Sequence, residues 1–186
     1  MTTAASLDPE PADEITRAGL KALSGVRLPR KYEVASIAEA MQRHLGRELQ
    51  CEAVPRARLK GASGLFTRGE KRDYLYFAVE ASSLTQAFSA CHEWGHVLDG
   101  TELHLVPDPI IERYGPEGLL LTPGYSNHFI VTRCLMKKTD PAEQRAETIA
   151  GLIYDAVGSA RRGHGRSTGG LAVERDLLSR VFGPPR

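Results

Sequence analysis

The chain has 186 residues, enough for one compact domain with tails and a core that needs no disulfide or metal staple. Hydrophobic residues at 41% and charged residues at 25% exclude wholesale disorder, and a formal net charge of +1 excludes nucleic-acid or anionic-membrane binding through bulk electrostatics. Three cysteines, Cys51, Cys91 and Cys134, form no CxxC pair and do not read as a disulfide framework. With no apolar run near the roughly 18 residues of a membrane span and no signal-like N-terminus, a cytoplasmic protein without membrane contact is the expectation.

Residues 1–14 hold four acidic residues and two prolines against one large aliphatic, Leu7, and are expected to form a disordered tail before a domain over 15–157. Val34, Ile37, Ala38, Met41 and Leu45 recur at three- and four-residue intervals and predict an amphipathic helix over about 32–46, closing at Gly46. Leu49–Val54 and Asp73–Val79 are rich in β-preferring residues and read as strands, with a shorter strand near Leu65 and Phe66. Ser82 or Ser83 can cap a helix over 84–98 that Gly100 ends. Prolines at 107, 109, 116 and 123 predict loops and short elements between Thr101 and Asp140. Asp140 and Pro141 then open a helix running to about Val157. The Gly- and Arg-rich stretch 158–170 reads as a linker, and 171–186 as a short helix, Leu171–Phe182, with a tail. From Gly158 onward six arginines stand against Glu174 and Asp176 without interleaved aromatics, which favours a solvated or protein-docking segment over direct nucleic-acid binding. Helices and strands together place the chain in the α+β class.

The second predicted helix contains HEWGH, His92–His96, an HExxH pattern. Residues four apart on a helix lie about 40° apart around the axis and one turn apart along it, so both imidazoles can reach one tetrahedral Zn²⁺. Glu93 flanks that face, where it can act as a general base toward an activated water, and Gly95 points inward, where a missing side chain permits close packing. Ordinary hydrogen bonds to both histidines, with Glu93 solvated, are the plainer alternative. Asp99 shares the ligand face and can orient a histidine or simply end the helix.

A catalytic zinc takes three protein ligands and leaves one position for water. Asp99 and Glu102 occupy the places where an HExxHxxGxxH sequence has glycine and histidine, so that arrangement is excluded. The third ligand must come from elsewhere. Glu143 leads, on a helix whose Ala146, Ile149, Ala150, Ile153 and Val157 form a buried stripe. Glu147, one turn on, and His104 remain alternatives, and His128 is a pocket or loop residue. Glu143 also fits a capping role three residues after Asp140. Tyr125, His128 and Tyr154 are possible electrophiles for an oxyanion, and the strand Asp73–Val79 is a candidate template for an extended substrate, provided its edge is free.

HEWGH after a β-rich segment, followed by EQRAETIAGLI (Glu143–Ile153), resembles the ImmA/IrrE family of zinc metallopeptidases, which carries a helical HExxH and later a segment like ExxANxFAxxLLMP. Ala146 and Ala150 match that segment; Glu147 stands where the family usually has Asn, Ile149 where Phe is common, and Ile153, Tyr154, Asp155 and Ala156 replace its Leu-Leu-Met-Pro. The resemblance implies a zincin-like fold, a small twisted, mostly antiparallel sheet packed on helices that carry HExxH and a downstream Glu ligand. It implies His92, His96 and Glu143 as zinc ligands, Glu93 as the catalytic residue, and a separation of 47 residues from His96 to Glu143 that contains an insertion within 105–140. The activity it implies is zinc-dependent cleavage of a specific protein, such as a helix-turn-helix DNA-binding repressor, to relieve repression. A non-catalytic regulatory or toxin-antitoxin component acting by protein binding is the competing expectation.

Overall fold

A computed structural model describes residues 12–101, 103, 105–121 and 140–162. Four strands form one mixed sheet in the order β1-β3-β2-β4, from β1 (Leu49–Val54), β2 (Gly64–Gly69), β3 (Asp73–Ala78) and β4 (Leu105–Val106). β2 and β3 pair antiparallel, whereas β1 with β3 and β2 with β4 pair parallel. The mostly antiparallel sheet expected from the sequence is therefore corrected to a mixed one. Its cause is local: β2 and β3 are joined by a tight hairpin, while 3-10 helix Arg56–Leu59 and β2 intervene between β1 and β3 and let those two strands run the same way.

Side chains of β2 and β3 alternate between two cores. Phe66, Leu75 and Phe77 face a cluster built with α2 (Val34–Leu45), α3 (Ser83–Leu98) and α5 (Pro141–Arg162). Leu65, Tyr74, Tyr76 and Ala78 face the opposite layer, where Leu59 of the 3-10 helix and Ile111 of α4 (Asp108–Leu121) pack. Covered on both faces, β3 is buried along its whole length, the reason its sequence is apolar and aromatic rather than alternating with charge.

α2 ends as its sequence predicts, on Gly46 at φ 65°, and α3 begins on Ser82, whose side chain accepts a hydrogen bond from the Thr85 N–H. Three elements differ from expectation. α1 (Ala12–Ala22) packs on α5 and includes residues 12–14, assigned to a tail by composition. β2 is a six-residue strand rather than a fragment at Leu65 and Phe66. α4 forms despite two prolines, because Pro109 lies in its first turn and Pro116 follows a break at Gly115 (φ 58°, ψ −169°), two places where a missing N–H costs little. α5 also continues to Arg162, so 158–162 belong to a helix and not to the linker. The remaining linker, the closing helix Leu171–Phe182 and most of the tail lie outside the described residues.

The β2–β3 turn is fixed from outside the hairpin. Gly69 N–H donates to the Arg72 carbonyl at 2.9 Å, and the buried Asp108 carboxylate accepts from the Glu70 and Lys71 N–H groups at 3.0 and 3.2 Å. A Cβ at residue 69 would collide with both Asp108 and the Arg72 carbonyl. Next to it the fully buried Asp73 meets Arg47 Nε at 3.1 Å and Arg68 Nε at 3.5 Å, which ties the α2–β1 connection to the hairpin. Among the described residues no helix is long and apolar enough to cross a membrane.

Candidate metal centre

The HEWGH segment lies in the last half of α3, a helix closed immediately afterward. Gly100, at φ 82°, lets its own N–H reach the Val97 carbonyl at 3.2 Å and the Thr101 N–H reach the His96 carbonyl at 3.0 Å. This Schellman closure fixes the turn that bears His96. Across it runs α5, opened by Asp140, whose Oδ1 accepts from the Ala142 N–H at 2.9 Å. Where the helices cross, Gly95 lies against the Ala146 backbone, so close that a Cβ at 95 would come within 2.6 Å of the Ala146 carbonyl oxygen. The inward-pointing glycine of HEWGH therefore admits a helix. Its partner on α5 is the residue three positions beyond Glu143.

That crossing brings His92, His96 and Glu143 together as a group whose ligand atoms all lie within 4.8 Å of one another and can hold a metal ion. The two Nε2 atoms are 3.2 Å apart, His92 Nε2 is 3.2 Å from Glu143 Oε2, and His96 Nε2 is 3.3 Å from Glu143 Oε1. A tetrahedral ion with bonds of about 2.0–2.1 Å requires ligand atoms roughly 3.3–3.4 Å apart; the two imidazole nitrogens are close to that spacing, and each is close to it with a different oxygen of Glu143. Two imidazoles and a carboxylate suit Zn²⁺ and other borderline divalent ions.

Electrostatics point the same way. For Glu143 the largest single influence is burial, which raises the carboxyl pKa, but hydrogen bonds and charge from His92 and His96 outweigh it and hold the group at about 2. For His92 burial again dominates individually and opposes the charged ring, yet the Glu143 hydrogen bond, with the charges of Glu93, Glu143 and Glu147, leaves it above the ordinary histidine range. Both shifts record a carboxylate and imidazoles that stabilise one another's charged forms.

Glu93 is fully buried beside this group and packs against β2, since a Cβ placed on Gly64 would lie 3.3 Å from its Cγ and Oε1. The register of β2 on β3, with the Gly69 N–H bonded to Arg72, turns the peptide groups of Leu65 and Thr67 toward β3 and those of Gly64 and Phe66 toward the opposite edge. β4 covers that edge only at Arg68 and Gly69, and among the described residues no strand pairs with it at Gly64 or Phe66.

Several sequence expectations are corrected here. The strand Asp73–Ala78 is central, flanked by β1 and β2, and has no free edge to template a substrate; the edge next to Glu93 that no described strand pairs at Gly64 or Phe66 belongs to β2, whose glycines weaken its strand signal. Asp99 does not orient an imidazole: both its oxygens accept from Arg145 Nε at 2.9 Å, and His96 Nδ1 has no hydrogen-bond partner among the described residues. Glu147 is exposed and stands outside the ligand group. Tyr154 packs edge-to-face on Tyr32 with ring centroids 4.8 Å apart. It lies 11 residues beyond Glu143, roughly 16 Å along the helix, too far to assist chemistry at the cluster. His104, Tyr125 and His128 lie outside the described residues. Comparison with protein-family models, with curated proteins and with solved structures finds no match to this chain.

Proposed function

We propose that the chain is a zinc-dependent endopeptidase in which His92, His96 and Glu143 hold the metal and Glu93 is the catalytic residue. The observation that carries this reading is the convergence of His92, His96 and Glu143, with ligand atoms within 4.8 Å of one another although His96 and Glu143 are 47 residues apart in sequence, next to the buried Glu93. Among the described residues this group supplies three ligands, the number a catalytic zinc takes from its protein, with Glu93 as a neighbouring base. Bound there, zinc supplies a Lewis acid that polarises a carbonyl and lowers the pKa of a coordinated water toward about 7.

The chain's own residues do the rest. A Glu93 carboxylate oxygen accepts a proton from the attacking water and returns it to the departing amine nitrogen, a role in which a positioned acid–base group contributes on the order of 10²–10⁴ in rate. The edge of β2 at Gly64 and Phe66 offers N–H and C=O groups to an extended peptide, which holds the scissile bond near Glu93 by main-chain hydrogen bonds. The resemblance to ImmA/IrrE peptidases extends this to a protein substrate, with a helix-turn-helix repressor as the first to test.

The test is co-expression with such a repressor, with metal content and cleavage measured in the same samples. The wild type is expected to carry about one zinc per chain and to cut, Glu93→Gln to carry zinc without cutting, and His92→Ala to lose both. Equal cleavage by wild type and Glu93→Gln would remove Glu93 from the chemistry. A wild type that keeps zinc and binds the repressor without cutting it would favour the non-catalytic module.

A further inference from the structure

We infer that Asp99 and Arg145 are positioning residues for the metal centre: their ion pair blocks the rotation of α5 that would withdraw Glu143 from His92 and His96. The inference rests on reading those three residues as metal ligands, and it concerns two residues outside that ligand group.

The argument starts from the crossing. Gly95 and Ala146 meet backbone to backbone, without interlocking side chains at the point of closest approach. That contact fixes the distance between α3 and α5, and further along α5 the buried Ile149, Ala150 and Ile153 pack in one core with Phe88, Cys91 and Trp94. Ahead of that stripe, at the N-terminal end of α5, polar groups on either flank of Ala146 add to the resistance against rolling. Residues two apart on a helix lie about 200° apart around it, so Glu143 and Arg145 project to opposite flanks of the Ala146 contact. On one flank Glu143 meets both imidazoles at 3.2 and 3.3 Å. On the other, Arg145 Nε lies 2.9 Å from both oxygens of Asp99.

A roll that draws Glu143 away from the histidines must stretch or compress the Arg145–Asp99 pair, because the two flanks move in opposite senses. Asp99 is well placed to oppose it. It is the C-cap of α3, three residues after His96, and its backbone is fixed by its own N–H bond to the Gly95 carbonyl at 2.8 Å and by the closure on Gly100. The pair is also partly shielded, with side chains 23% and 15% exposed, so solvent screens it less than a bridge on open surface. Held at Gly95–Ala146 and on both flanks, α5 keeps Glu143 in place before any metal arrives, and the binding free energy is not spent on rotating a helix.

Co²⁺ titration of the full chain after chelator treatment tests this, since Co²⁺ reports both affinity and coordination geometry in its visible spectrum. Asp99→Asn and Arg145→Gln are each expected to weaken Co²⁺ binding by roughly 10- to 100-fold and to alter the band shape, as loss of outer-shell support does elsewhere. The double variant is expected to be no weaker than either single, and the exchanged pair Asp99→Arg with Arg145→Asp to recover part of the loss. Circular dichroism and the apo melting temperature separate this from unfolding, because a purely structural bridge would lower the melting temperature and leave the Co²⁺ spectrum of the folded fraction unchanged. Wild-type affinity and spectrum in both single variants, alongside a His92→Ala variant that binds no Co²⁺, would overturn the positioning role and leave the metal centre standing. A His92→Ala variant that binds Co²⁺ like the wild type would instead remove the metal centre itself, and the positioning role with it.

Discussion

Glu93 has no exposed surface, and its charge is among those that raise the pKa of His92 beside it. Its seat is completed by Gly64, where a methyl group would press on Glu93 and on the Tyr76 carbonyl oxygen at 3.3 Å. Gly64→Ala is therefore expected to lower peptide turnover by about tenfold while metal stoichiometry stays at the wild-type value; paired kinetics and metal analysis check it. The cysteines behave differently. Burial pushes the Cys51 thiol up to about 11 and the Cys91 thiol up to about 12, so almost no thiolate exists at neutral pH. Iodoacetamide at pH 7.5, read by mass spectrometry, should leave Cys51 and Cys91 unmodified in the native protein and alkylate both in denaturant. Rapid native labelling of Cys91, one residue before His92, would mean that α3 opens far more readily than its packing implies.

At the level of elements, the site is a consequence of two helices approaching backbone to backbone. Replacing a helical glycine with alanine normally adds up to about 1 kcal/mol of helix propensity, but at Gly95 the new Cβ would lie 2.6 Å from the Ala146 carbonyl oxygen. Steric overlap with backbone wins, and Gly95→Ala is expected to destabilise the fold by about 1–3 kcal/mol and to weaken metal binding, measured by denaturant unfolding and Co²⁺ titration. Elements whose purpose is written locally are legible in the sequence. α2 carries a clean apolar stripe and α3 a serine cap, a glycine stop and the paired histidines, so their spans and two of the three residues of the candidate metal group follow from spacing alone. α1 buries only Ile15 and Gly19 and owes its order to α5, information that composition near an N-terminus does not contain. α4 is obscured by prolines that occupy permissive turns. Glu143 was readable as a candidate from its helix, but its choice over Glu147 depends on how α5 is rotated across α3, which one chain's periodicity does not specify.

Taken whole, the described residues form a sheet with a core on each face, and the candidate metal group sits where the larger core meets the part of β2 that no described strand pairs. A ligand that binds only the folded form stabilises it by mass action, by about 2.7 kcal/mol at a hundredfold excess over its dissociation constant. For a chain of this size that amounts to a rise in melting temperature on the order of 5–10 °C. Zinc after chelator treatment should produce this rise in the wild type and in Glu93→Gln but not in Glu143→Ala; scanning calorimetry decides it, and an equal rise in Glu143→Ala would exclude that residue as a ligand.

The alternation of peptide groups along β2 reaches further, into deuterium uptake. Leu65 and Thr67 spend their amides on β3, a strand enclosed on both faces, and should exchange only on large-scale opening. Gly64 and Phe66, their immediate neighbours and just as deeply buried, should exchange orders of magnitude faster, and an extended peptide or peptidomimetic that docks there would erase the difference, marking the docked strand residue by residue.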